Sequence, residues 1–237
     1  MHAALAYLGA DLGILGEGER AFPAVLSRLE RREDLGGLPG VCVAGRAALA
    51  GFRRFYFVDS TFNLPASHAI ELCREIARRQ PGVEWRCILY PHEVSEPLAT
   101  AMAAAGCVEV SLGFESGSPA VLARMNKRYT PDEVRRVSGL LASHGIRRHG
   151  FLLLGGPGET PATVEESLAF AGSLELDSLK TTVGIRIYPG TPLARLAVNE
   201  GQIAPDDDLL QPRFYLAQGL DTCLRERGLL REKGDCP

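Results

Sequence analysis

The sequence predicts an α/β fold: a parallel sheet with crossover helices, built from about five β/α units. Three observations predict it. From residue 53 onward, short apolar β-rich runs alternate with helical patterns. The helical stretches open on capping residues and close on glycine. Polar and glycine-rich turns follow the strands at one end, where parallel α/β folds bind ligands.

Taken in order, RRFYFVD (53–59) reads as a buried strand, and ASHAIELCREIARR (66–79) puts Ile70, Cys73, Ile76 and Ala77 on one helical face. VEWRCILY (83–90) is the next strand. SEPLATAMAAAG (95–106) is a helix with Ser95 at its N-cap and Gly106 as its stop, and CVEVSLGFE (107–115) is a third strand. TPDEVRRVSGLLASHG (130–145) has Thr130 and Glu133 at capping-box spacing and Pro131 at the first helical position. RRHGFLLLGG (147–156) is a strand, TPATVEESLAFAGSL (160–174) a capped helix, and DSLKTTVGIRIYP (177–189) a last strand.

Upstream, DLGILG and EGERAFPAVLSRLERRE read as a strand and helix from another context, joined by DLGGLPG to VCVA (41–44). Were VCVA a parallel first strand, residues 45–52 would have to hold a whole crossover, which takes about a dozen residues or more. An antiparallel hairpin or a detached linker strand fits better. The strand 53–59 would then be an open edge. Such an edge is expected to drive self-association, to be covered by residues 1–45, or to lower solubility. Downstream, residues 205–218 and 225–237 read as a peripheral tail.

A formal net charge of −3 and balanced acidic and basic residues give no basis for binding a phosphate backbone, so nucleic acid is not an expected partner. A small-molecule substrate is. No apolar run approaches the ~20 residues of a membrane span, and no charged leader precedes an apolar one, which predicts a cytoplasmic protein. The six cysteines, at 42, 73, 87, 107, 223 and 236, lack the short spacers of metal loops, so no metal ligands are assigned and most read as small buried hydrophobes.

The chemistry gathers at the strand ends: Asp59, then Tyr90-Pro91-His92, Glu115-Ser116-Gly117, Gly155 to Glu159, and Arg186 with Tyr188-Pro189-Gly190. Asp59, Glu115 and Glu159 form a set of acceptors suited to an amine or to ribose hydroxyls, and helix capping explains the same residues equally well. The glycines of GGPGE allow a ligand to approach the backbone, or serve a tight turn. His92 has no identifiable carboxylate partner and reads as a loop residue.

FVDSTFN, VSLGFESGSPAVLARMNKRYT, HGFLLLGGPGET and GIRIYPGTPLARLAVNEG, in that order, resemble the radical S-adenosylmethionine (radical SAM) superfamily over residues about 52–200, in particular members with an N-terminal cobalamin-binding domain. GADLGILGEGERAFPAVL resembles the end of that cobalamin domain. The resemblance implies three regions: a cobalamin-domain remnant and linker (1–40), a core lacking its first β/α unit (41–200), and a tail (201–237). It implies an incomplete parallel (β/α) partial barrel of about five β/α units, with SAM across the strand ends. Asp59 and Ser60 would hold its amino group, Glu115 and Ser116 its ribose or amino-acid part, and Gly155, Gly156, Pro157, Ile187 and Tyr188 its adenine.

The family's Cys-x3-Cys-x2-Cys loop, which carries a four-iron four-sulfur cluster, is absent, and so is the Asp-x-His-x2-Gly motif for cobalamin. The sequence therefore predicts a truncated or degenerate member, for which the methyltransferase type is one option, with a retained SAM crevice and no redox centre. No catalytic residue is assigned. A non-catalytic SAM-binding or scaffold protein is the alternative. An ordinary phosphate-ligand α/β enzyme is a poorer one, because no lysine follows the glycines.

Overall fold

The computed structural model describes residues 12–14, 18–35, 38, 41–43, 54–58, 61–79 and 82–230. The order along the chain is β1 (Leu12–Ile14), α1 (Gly18–Arg31), β2 (Val41–Val43), β3 (Arg54–Phe57), α2 (Ala66–Arg79), β4 (Glu84–Leu89), α3 (Glu96–Ala104) and β5 (Cys107–Glu115). Then come α4 (Pro119–Arg124), α5 (Pro131–Ser143), β6 (Arg147–Leu154), α6 (Pro161–Ser173) and β7 (Ser178–Val183). The described chain closes with β8 (Ile185–Arg186), α7 (Pro192–Asn199), β9 (Phe214–Tyr215) and α8 (Asp221–Glu226). The strand order in the main sheet is β2-β1-β3-β4-β5-β6-β7, six strands being parallel and β2 antiparallel. This is the expected α/β class. No described helix is long and apolar enough to cross a membrane.

The chain divides into two compact units, one drawn from 1–113, 133–150 and 176–178, the other from 114–132, 151–175 and 179–237. In the first, β2 pairs antiparallel with β1, Leu12 opposite Val43, and is neither in a hairpin with β3 nor detached. β1 in turn pairs in parallel with β3, Leu12 opposite Phe55 and Ile14 opposite Phe57. The strand expected to be an open edge is therefore flanked on both sides, by β1 and β4. Covering by upstream residues, one of the outcomes expected, is what the strand order shows.

The core of this unit is aromatic. Phe22 of α1, Phe55 and Phe57 of β3, Phe62 and Trp85 of β4 stack with centroids 4.8 to 5.7 Å apart. Each is buried, and burial of such a side chain contributes about 1.5–3 kcal/mol. The Trp85 indole also donates to the Ala105 carbonyl at 2.8 Å, which satisfies its one polar atom. Ser95 stands at the N-cap of α3 but makes no side-chain capping bond there.

In the second unit, Phe114 meets Phe170 edge-on at 5.8 Å. Thr160 and Thr163 form a reciprocal capping box at the start of α6. The run expected as one strand over 177–189 is broken. Gly184 adopts φ 82° and donates its amide to the Leu154 carbonyl at 2.8 Å, so the chain turns and residues 185–186 pair antiparallel with 214–215 instead. The stretch expected to be peripheral thus supplies a strand. Tyr215 and Ala217 are buried, and the Ala217 amide donates to the Gly155 carbonyl at 3.0 Å. Burial pushes the Tyr215 phenol up to about 12, and its hydroxyl donates to Glu200 at 3.2 Å.

Candidate functional site

At the end of β5, Glu115 has φ 61° and the Ser116 amide donates back to the Phe114 carbonyl at 2.7 Å. This is a three-residue turn around a left-handed residue, a conformation costing about 1–3 kcal/mol and found mostly at functional sites. The Glu115 carboxylate is three-quarters buried and accepts from Lys127 Nζ at 3.1 Å. Sequence reading missed Lys127. Its signal was spacing within one motif, since a turn and the short helix α4 return the chain to the same strand end.

Ser116 and Ser118, on the same turn, are buried. The Ser116 hydroxyl is 2.8 Å from that of Ser167 on α6 and accepts from the Ser118 amide at 3.1 Å, while the Ser167 hydroxyl accepts from the Gly117 amide at 3.1 Å. Ser116 therefore shapes the turn with its hydroxyl already engaged. Gly117 is as constrained, because a Cβ there would lie 2.4 Å from the Phe170 Cβ.

The Gly155-Gly156-Pro157 turn follows β6. Gly155 has φ 93°, and a Cβ on it would meet Leu216 at 2.5 Å, so only glycine fits. Glu159 is buried beneath this turn and one of its oxygens accepts from the amides of both Gly155 and Gly156, the latter at 3.1 Å. It does not join Glu115 as a ligand acceptor but holds the turn from inside. Its other oxygen has no hydrogen-bond partner, and burial raises its pKa against the opposing pull of the two amides.

Ile187 is buried with its amide donating to the Arg213 carbonyl at 2.8 Å, while Tyr188 is exposed, with the Arg186 guanidinium 5.0 Å from its ring centroid. Asp59 and Ser60 lie outside the described residues. In the other unit, the buried Asn63 amide donates to the carbonyls of Tyr90 (2.9 Å) and His92 (3.2 Å) and accepts from the Tyr90 amide (2.9 Å). His92 does have a carboxylate neighbour: its Nδ1 is 3.5 Å from Glu133 Oε1, supplied by α5.

The cysteines offer no cluster site. Cys73, Cys87 and Cys107 are free and buried in the first unit, Cys223 is half-buried, and no group of three metal-ligating side chains occurs among the described residues. Burial pushes the Cys73 thiol well above its ordinary value, away from the thiolate a cluster needs. Residues 44–53, between β2 and β3, contain no cysteine. These residues do not fit an iron–sulfur cluster.

The model of the Radical SAM superfamily matches residues 43–171, more than half of the chain. The chain belongs to the radical SAM superfamily. An uncharacterized methyltransferase of Pyrococcus horikoshii is 30% identical over 184 residues, covering 74% of this chain and 40% of that protein. Tryptophan 2-C-methyltransferase of Streptomyces laurentii is 30% identical over 161 residues, covering 61% and 26%. Among solved structures, the radical SAM methyltransferase TsrM from Kitasatospora setae, with cobalamin and an iron–sulfur cluster bound, superposes with a TM-score of 0.59 at 29% identity, over 63% of this chain and 29% of that one. The cobalamin-dependent radical SAM enzyme OxsB shares the fold, with a TM-score of 0.54 at 17% identity over 69% and 31%. The chain thus spans well under half of the curated relatives' lengths. Membership implies SAM and a four-iron four-sulfur cluster as the superfamily's cofactors. In this radical SAM chain the described cysteines are not grouped as ligands for the second.

Proposed function

We propose that the chain is a SAM-binding member of the radical SAM superfamily, of methyltransferase lineage, without a cluster of its own. The observation that carries this reading is the pairing of Glu115 with Lys127 beside the Gly155–Pro157 turn, in a chain whose segment 44–53 holds no thiol. A carboxylate and an ammonium side by side match a zwitterionic ligand, since each recognises the group of opposite charge. The turn brings bare backbone to a ligand face, which suits a flat base. Asp59 and Ser60, which the family motif gives to the amino group, lie outside the described residues and carry no part of this reading.

SAM is a methyl donor and, reduced by one electron, a radical source; without a cluster this chain binds it without supplying that electron. Cobalamin has no ligand motif here and takes no part in this reading.

Titration calorimetry with SAM on the purified chain tests the first half: binding is expected, and Glu115→Gln should weaken it about tenfold, the loss of one charge-assisted contact. No heat with SAM overturns the SAM reading and leaves a scaffold role. Anaerobic reconstitution with iron and sulfide tests the second half. A stoichiometric iron–sulfur chromophore, surviving desalting, would sink the cluster-free reading.

A further inference from the structure

A cleft of about 480 Å³ lies in the second unit between α4 and α7, floored by β8 and the Gly155–Pro157 turn. Its volume falls in the range of small-molecule sites. Of the described residues given to SAM above, Lys127 and Pro157 line it, whereas Arg124, Met125, Ile185 and Leu196 are given to none of its groups. Its walls are apolar, with Met125, Pro157, Ile185 and Leu196 each half-buried around it.

The cleft's charge is one-sided. Arg124 and Lys127 line it, and no carboxylate does. Lys127 is shared with Glu115, whereas Arg124 has no hydrogen-bond or ion-pair partner among the described residues. The Arg124 side chain is nonetheless placed. Its guanidinium lies against Gly158, where a Cβ would fall 1.3 Å from Nη1, so the missing side chain makes room for it at the cleft mouth. An arginine fork left without a carboxylate, above an apolar floor, is a receptor for a planar or tetrahedral oxyanion.

We propose that this cleft binds a second small molecule, distinct from SAM, that carries an oxyanion on an apolar body, with Arg124 receiving the oxyanion and Met125, Ile185 and Leu196 the body. Carboxylates and phosphates share this chemistry. The proposal does not depend on SAM occupying the strand ends.

Methyl-labelled methionine gives a direct readout, because the chain has only three methionines: Met1, Met102 and Met125. Met125 lines the cleft and Met102 is buried in α3 of the other unit, so the second serves as an internal control for folding. The purified chain is titrated with 3-phenylpropionate, with 3-phenylpropionamide, which has the same body without charge, and with phenyl phosphate. The Met125 methyl resonance should shift with the acid and the phosphate, and the amide should bind at least fivefold more weakly than the acid. Whichever anion binds more tightly names the head group.

Arg124→Gln should cut the affinity for the tighter anion at least fivefold and leave the amide unchanged, and Arg124→Lys should restore part of the loss. Saturating SAM should change the anion's affinity by less than twofold. The proposal fails if Met125 does not respond, if acid and amide bind equally, if Arg124→Gln changes nothing while Met102 reports a folded protein, or if SAM displaces the probe competitively. Failure of SAM to bind would leave these outcomes unaffected, so the two readings fail separately.

Discussion

Replacing Ser167 with alanine removes one oxygen from a closed network and strands two polar groups. The Gly117 amide loses its acceptor at 3.1 Å and the Ser116 hydroxyl loses its partner at 2.8 Å, both in fully buried surroundings. A hydrogen bond is worth only about 1 kcal/mol net, but a buried donor left unpaired costs about 1–3 kcal/mol. Gly117 is packed tightly, a Cβ on it falling 2.4 Å from the Phe170 Cβ, so the turn has little freedom to move its amide to another acceptor. The expected loss is therefore about 2 kcal/mol. In urea, with a slope of about 2 kcal/mol/M, the unfolding midpoint should fall by about 1 M. Ser116→Ala strands the Ser118 amide in the same way, and the double variant should cost about 0.5–1.5 kcal/mol less than the sum, since both single changes break the shared hydroxyl pair. A midpoint shift below about 0.3 M for Ser167→Ala, or strict additivity, would refute the network as a stabilising unit.

Asn63→Ala should remove three hydrogen bonds that tie Asn63 to Tyr90 and His92 and leave the Tyr90 amide unpaired, a cost of about 3 kcal/mol that a thermal melt would register as about 6–12 °C. The Glu159 pKa lies above its ordinary value of 4.5, so over the window upward from there the folded state keeps a proton the unfolded state has released. Stability should fall as pH rises through that window and level off once the folded carboxyl ionises. Glu159→Gln keeps an oxygen for the two glycine amides and should flatten that limb; superimposable pH profiles of wild type and variant would refute the assignment.

The alternation of strands and helices was legible because each element carries its own period and stop. Cys73 and Ile76 are buried on one face of α2 as the helical spacing demands, and Gly106 ends its turn at φ 86°. That β2 is not a parallel neighbour of β3 was legible by elimination, from a connection too short for a crossover, but its pairing with β1 instead of a hairpin with β3 was not. What escaped was set by tertiary partners. Nothing in DSLKTTVGIRIYP says that Gly184 will turn, because the reason is an acceptor on β6 and a two-residue partner at 214–215. Glu159 looked like a ligand acceptor on the strand ends, yet it folds under its own loop, where two backbone amides outcompete solvent. The His92–Glu133 approach was invisible because the two residues are far apart in sequence and meet only in the fold, whereas Lys127 follows Glu115 within one motif and that spacing was the available signal.

The position of β1 between β2 and β3 bears on how this chain tolerates change. Segment 44–53 joins two strands that do not touch each other, since β1 pairs with both. Among the described strands, the ladder of β3 is made with β1 and β4. The registers of β3 therefore do not require β2 as a neighbour, and a change in the chain length between Val43 and Arg54 is expected to leave the β1–β3–β4 pairings conserved.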